Sequence, residues 1–156
     1  LSNRDLFDEL MNIINTNGIK PQHIRLELTE SAIFDDFNMV INNMEKFNKS
    51  GIKFYLDDFG TGYSNLERII GCPFYTIKFD KSLLYKSIDN SAVSDIVSHL
   101  TSVFKKQGFV LLIEGVENDE QADYSINKGF DYIQGYKYAK PQPVIKLREY
   151  FNKATA

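Results

Sequence analysis

One pattern recurs along the chain and limits its fold more than any other feature. A polar helix end meets a glycine, an apolar strand follows, and the strand closes on a polar residue. Asn17-Gly18 precedes such a strand at 24–30, Ser50-Gly51 at 52–58, Gln107-Gly108 at 109–114 and Lys128-Gly129 at 130–135. A glycine just past a helix closes it in the left-handed conformation. Residues 74–80 add a fifth strand without that glycine. Phe37, Val40, Ile41, Met44 and Phe47 fall on one helical face, as do Val93, Ile96, Val97, Leu100 and Phe104 behind a cap at Ser91. Near-continuous apolar strands alternating with amphipathic helices specify a parallel sheet covered by helices.

The strand ends carry the chemistry. In order they offer Glu27, Asp57 with Asp58, Lys78 with Asp80, Glu114, and Gln134. In a (β/α)₈ barrel these ends converge on one face, where active sites lie. An open doubly wound sheet would use a crevice at a switch point instead. Polar residues at five successive strand ends favour the barrel. The count does not close it: there are five strands and a sixth expected near 136–139, against eight in about 250 residues. The chain is therefore expected to be an incomplete (β/α)₈ TIM-type barrel of five to six units, with two or so units upstream of Leu1. It should expose strand edges that those units would cover.

Composition narrows the class. The 156 residues suffice for one domain with a core, and a net charge of −3 gives no field for bulk nucleic acid. The single cysteine, Cys72, excludes an intrachain disulfide and fits a reducing, cytoplasmic setting. It reads as a packing residue, and His23 and His99 lack metal-ligand spacing. The longest apolar run, at 109–113, is too short to span a bilayer.

The pair Asp57-Asp58 is the sharpest local signal. Two carboxylates at a buried strand end lose hydration and repel one another, and a hard divalent cation relieves both. A helix-capping acidic turn is the plainer reading, and the other strand-end groups weigh against it. Lys78 and Asp80 could likewise be a structural rim pair.

Taken together, Leu26-Glu27-Leu28-Thr29-Glu30-Ser31, the run Leu56-Asp57-Asp58-Phe59-Gly60-Thr61-Gly62-Tyr63-Ser64-Asn65-Leu66, Ile77-Lys78-Phe79-Asp80, Glu114-Gly115-Val116-Glu117 and Gln134-Gly135-Tyr136 up to Pro141 resemble the EAL domain. That family comprises bacterial cyclic di-GMP phosphodiesterases. The resemblance implies hydrolysis of one phosphodiester to linear pGpG with Mg²⁺ or Mn²⁺. It makes Glu27 a first-metal ligand, Asp57 the bridge between two metals, and Asp58 a second-metal ligand. Lys78 is similar to the lysine beside the attacking water. Glu114 is similar to a second-metal ligand sometimes proposed as general base, and Gln134 to a glutamine of the water network. Glu30 resembles the anchor of the loop after Asp58, which includes Gly60, Thr61 and Gly62 and also serves homodimerisation. Glu117 resembles a glutamate near the site.

Residues 1–156 are then expected to be the C-terminal part of one EAL domain. The Glu-Ala-Leu motif is absent, and Leu1-Ser2 resembles the end of an Asn-x-Ser motif whose asparagine would precede the chain. The intact domain is expected to be an enzyme. The chain alone is expected to be inactive and to bind metal weakly or not at all. Sensory or GGDEF-type domains, or a membrane tether, could accompany the parent. Two other readings compete: a non-catalytic EAL-like cyclic di-GMP receptor or dimerisation module, and an aldolase-type lyase with a Schiff base on Lys78.

The residue types suit phosphodiester hydrolysis. Two cations roughly 3.5–4 Å apart can hold a nucleophile and screen developing charge, given a carboxylate that bridges them. Lys78 adds fixed positive charge, and neutral Gln134 can orient water.

Overall fold

A computed structural model of the chain describes residues 5–33, 37–62 and 65–148. Five parallel strands form one sheet in chain order: β1 (Arg25–Thr29), β2 (Lys53–Phe59), β3 (Thr76–Phe79), β4 (Val110–Ile113) and β5 (Tyr132–Ile133). Helices fill the connections: α1 (Leu6–Thr16) leads into β1, and α2 (Phe37–Ser50) joins β1 to β2. The short α3 (Leu66–Gly71) joins β2 to β3, α4 (Lys81–Asp89) and α5 (Ser91–Lys106) join β3 to β4, and α6 (Asp119–Asn127) joins β4 to β5. Gly18, Gly51, Gly108 and Gly129 all have positive φ, so each helix preceding the recurrent strands closes as its sequence dictates.

Strand alternation gives the sheet two unlike faces. Phe54, Leu56, Phe59, Ile77, Phe79, Leu111 and Ile113 turn to the helices and are buried. Their rings interlock there, with Phe79 centred 4.8 Å from Phe59 and 4.9 Å from Phe130, both edge-on. The other face carries Glu27, Tyr55, Asp57, Thr76, Lys78, Leu112 and Tyr132, of which Thr76 and Lys78 are buried and Tyr132 is 62% exposed. This is the partial barrel: an arc of five strands, helices outside, with its inner face open.

Three sequence expectations change. No sixth strand forms at 136–139; the chain curls instead, with Tyr138 N and Ala139 N both donating to Gly135 O. The curl follows from Gly135 lying directly on the Val116 backbone, where a Cβ would stand 2.0 Å from Val116 O. The cap of α5 is Asn90, not Ser91, since Asn90 Oδ1 accepts from Ala92 N at 3.0 Å and Val93 N at 3.4 Å. Ile96 is 57% exposed and Thr101 is buried in its stead. Ile96 sits roughly 100° round the helix from Val97, beyond the face that Val97 and Phe104 bury. The reading of Leu1-Ser2 lies outside the described residues, as do Tyr63 and Ser64.

Candidate metal centre

The Asp57-Asp58 pair is built by a break in β2. From Leu56 to Phe59, three steps of β2 run against the two from Ile77 to Phe79, a bulge in an otherwise regular parallel ladder. Asp58 takes φ +56°, the left-handed region, which short polar side chains tolerate better than most. Strict alternation would send Asp58 into the helix-covered core. The bulge keeps both carboxylates on the open face and returns Phe59 to the core, where it is 2% exposed.

Lys78 stands in the middle. Its Nζ lies 2.7 Å from Asp57 Oδ1, 2.9 Å from Glu114 Oε1 and 3.1 Å from Glu27 Oε1. Three strands besides its own thus send a carboxylate to one ammonium. Burial works against that charge, but the hydrogen bonds from Asp57, Glu114 and Glu27 outweigh it and hold the Lys78 pKa above its ordinary value. An amine so held is protonated and is a poor Schiff-base nucleophile, which removes the aldolase reading. The rim-pair reading of Lys78 with Asp80 also fails. Asp80 turns away to cap α4, its Oδ1 accepting from Ser82 N at 2.8 Å.

Beside the ammonium, carboxylate oxygens of Asp57, Asp58 and Glu114 all lie within 4.8 Å of one another. An all-carboxylate donor set fits a hard divalent cation, and the oxygens need little movement to close on one. Glu27 reaches the same ammonium from β1, with its side chain 49% exposed.

The remaining named residues frame this centre. Glu30 is buried, and its Oε1 accepts from Gly60 N at 3.1 Å, tying the loop after β2 to the end of β1. Gly60 is demanded twice over: φ is +97°, and a Cβ would meet Leu83 Cδ1 at 2.0 Å. Gly62 is not: it has no positive φ, and a Cβ would stand 3.7 Å from Glu30 Oε2. Thr61 folds back, its hydroxyl donating to Asp58 O at 3.0 Å. Gln134 and Glu117 are exposed and line a cleft of about 830 Å³ together with Asp58, Glu114, Asp80 and Tyr136. Strand-end patterning puts Asp80 at this face but does not reveal Lys81, which lines the same wall. The signal is nonetheless in the sequence: an acid right after β3 and before a helical run is a cap, and a cap here must border the site. Cys72 is buried, and burial pushes its thiol up to about 11, fitting a packing role.

Parallel strands with helices outside and a carboxylate cluster at the strands' carboxyl ends define a barrel-type domain whose acidic cluster could hold a cation. Residues 1–141 match the family model of the EAL domain, and the chain belongs to that family. It is 34% identical over 150 residues to the cyclic di-GMP phosphodiesterase PdeL of Escherichia coli, covering 94% of this chain and 41% of PdeL. It is 32% identical over 135 residues to an uncharacterized signaling protein of Caulobacter vibrioides, covering 86% of this chain and 17% of that protein. The chain thus spans well under half the length of these relatives. Among solved structures, the EAL domain of Mycobacterium smegmatis DcpA superposes with a TM-score of 0.89 at 26% identity, covering 98% of this chain and 69% of that one. A manganese and cyclic di-GMP complex of Klebsiella pneumoniae BlrP1 superposes with a TM-score of 0.81 at 25% identity, covering 90% of this chain and 36% of that one. No helix among the described residues is long and apolar enough to cross a membrane.

Proposed function

We propose that this chain carries the C-terminal part of an EAL domain that hydrolyses cyclic di-GMP to linear pGpG with Mg²⁺ or Mn²⁺. One observation carries the reading: four strands deliver Glu27, Asp57, Asp58, Lys78 and Glu114 to one point at the carboxyl edge of the sheet. A purely structural cluster would balance its charges, whereas here one ammonium meets three carboxylates and Asp58 adds a fourth beside Asp57 and Glu114.

Glu27, Asp57, Asp58 and Glu114 would hold the ions, with Asp57 between the Lys78 side and the Asp58 side. Bound divalent ions would supply Lewis acidity toward the phosphate and lower the pKa of the attacking water. Lys78 places a permanent positive charge where the phosphate and incoming hydroxide gather negative charge. Gln134, at the cleft wall, orients water through its neutral amide. Glu30 keeps the loop of Gly60, Thr61 and Gly62 in place over the ligands, and Glu117 lines the approach. Water adds to phosphorus, one phosphodiester P–O bond breaks, and the departing oxygen takes a proton. The loop after Asp58 is the proposed homodimer contact, and linked GGDEF-type or sensory domains are the proposed regulators.

The test is turnover of cyclic di-GMP by an EAL domain that joins this chain to upstream Glu-Ala-Leu and asparagine motifs, with Mn²⁺, read by chromatography. Production of pGpG is expected. Binding of the dinucleotide without pGpG would make the domain a receptor instead. This chain alone is expected to give no turnover.

A further inference from the structure

Two members of the acidic triad come from strands that do not touch. Asp58 is the penultimate residue of β2 and Glu114 follows β4, with β3 between them. The chain leaving β3 enters α4, and the start of α4 is laced to both neighbours. On the β2 side, Asp80 N donates to Phe59 O at 3.1 Å, and the Leu83 side chain occupies the space a Gly60 Cβ would need. On the β4 side, Glu114 N donates to Phe79 O at 3.0 Å, and a Cβ on Gly115 would stand 2.3 Å from Lys81 Cβ. The Tyr85 hydroxyl then donates to Gly115 O at 3.2 Å. Gly60 and Gly115 both have positive φ, so each turn is pared to backbone where α4 presses on it.

We propose that the first two turns of α4 are a wedge that sets the separation of Asp58 and Glu114, with Leu83 and Tyr85 as positioning residues for divalent-cation binding. The inference rests on reading the triad as a cation site. Ligand oxygens around a small divalent ion sit within about 2.0–2.6 Å of it, so sub-ångström spacing of their backbones governs affinity. Asp58 and Glu114 lack a direct strand-to-strand bond, and α4 is the element in contact with both of their turns. Tyr85 braces the carbonyl of Gly115, one residue past Glu114, and Leu83 braces Gly60, two residues past Asp58. Neither side chain is a ligand.

The experiment compares Mn²⁺ affinity, by calorimetry, with thermal stability in the present chain. Tyr85→Phe is expected to weaken Mn²⁺ about fivefold, the loss of one neutral hydrogen bond. Leu83→Ala should weaken it at least as much, and Leu83→Met should return it to within about twofold of the parent, since methionine refills the space. Phe47→Leu, a core change on α2 away from the site, should lower the melting temperature at least as much as Tyr85→Phe with affinity unchanged. Parent-like affinity in both Tyr85→Phe and Leu83→Ala, or an equal loss in Phe47→Leu, would overturn the wedge. A second arm needs no metal: backbone amide resonances of Tyr85→Phe should move at Asp58 and Gly60 as well as at Gly115. Shifts confined to 114–116 overturn the wedge. If this chain binds no Mn²⁺, the cation site needs its upstream ligands, and the amide arm decides the wedge by itself.

Discussion

The ends of β2 and β3 lie side by side and use the same residue type for opposite purposes. Each presents one charged group to the open face, Asp57 and Lys78, and these two meet at 2.7 Å. Each then has a further aspartate. Asp58 sits at φ +56° inside the bulge and joins Asp57 and Glu114. Asp80 sits at φ −65°, ψ 147° and caps α4. The backbone after the strand decides the outcome. A left-handed bulge keeps the acid on the open face as a potential ligand, while an extended step into a helix commits it to a backbone N–H.

The largest effect expected from breaking this arrangement is at Lys78. Its side chain is 8% exposed, and it is the shared cation of three carboxylates. Lys78→Met should destabilise the metal-free chain by about 3 kcal/mol in urea unfolding, because uncompensated carboxylates remain in a partly buried site. Mn²⁺ should return part of that loss. A raised lysine pKa contributes stability that is complete below the ordinary value near 10.4 and is lost only as pH climbs through the folded value. The difference between parent and variant should therefore be flat from about pH 6 to pH 9. A stability loss under about 1 kcal/mol would show that the cluster does not depend on its ammonium.

Asp58 separates backbone from side chain. Asp58→Gly removes the carboxylate but suits positive φ, so stability should stay within about 1 kcal/mol of the parent. Mn²⁺ affinity should fall at least about tenfold, the lower bound seen even for groups that only support ligands. Asp58→Val should cost about 1–2 kcal/mol more than the glycine, since a branched side chain resists the left-handed region. Equal stability of the two variants would mean that the bulge is not held at that conformation.

Much of this architecture is legible in the amino-acid sequence. Glycine after each helix, the apolar strands and the polar strand ends specify five parallel strands and put Glu27, Asp57, Lys78 and Glu114 on one edge. The bulge is only half legible. The sequence shows two acids where alternation allows one to face the site, but not that a left-handed Asp58 resolves the conflict. The role of α4 is not legible because it is tertiary: Leu83 and Tyr85 matter through Gly60 and Gly115, which are distant in sequence. The sixth strand fails for a similar reason. Tyr136 and Tyr138 have strand propensity, yet the packing of Gly135 on Val116 bends the chain first. Ile96 shows the limit of periodicity, which cannot rank a face's flank against its centre.

The smallest expected effect lies at Asp80 and sharpens the contrast most. Its carboxylate is desolvated, which alone would raise its pKa, but hydrogen bonds from Ser82 and Lys81 outweigh that and hold it below the usual carboxylate value. A depressed pKa contributes stability that is present above the ordinary value near 3.9 and is lost as pH falls through the folded one. Asp80→Ala should therefore cost about 1 kcal/mol at neutral pH, the usual worth of a cap, and the cost should shrink on acidification. Asp80→Asn keeps a cap of similar quality that cannot titrate, so it should match the parent at neutral pH and lose less stability in acid. Neither change removes a triad member, so Mn²⁺ affinity should fall far less than in Asp58→Gly, and in Asp80→Asn not at all. If Asp80→Asn weakened Mn²⁺ as strongly as Asp58→Gly, the acid after β3 would be a ligand in its own right, and the division of labour between the two strand ends would be wrong.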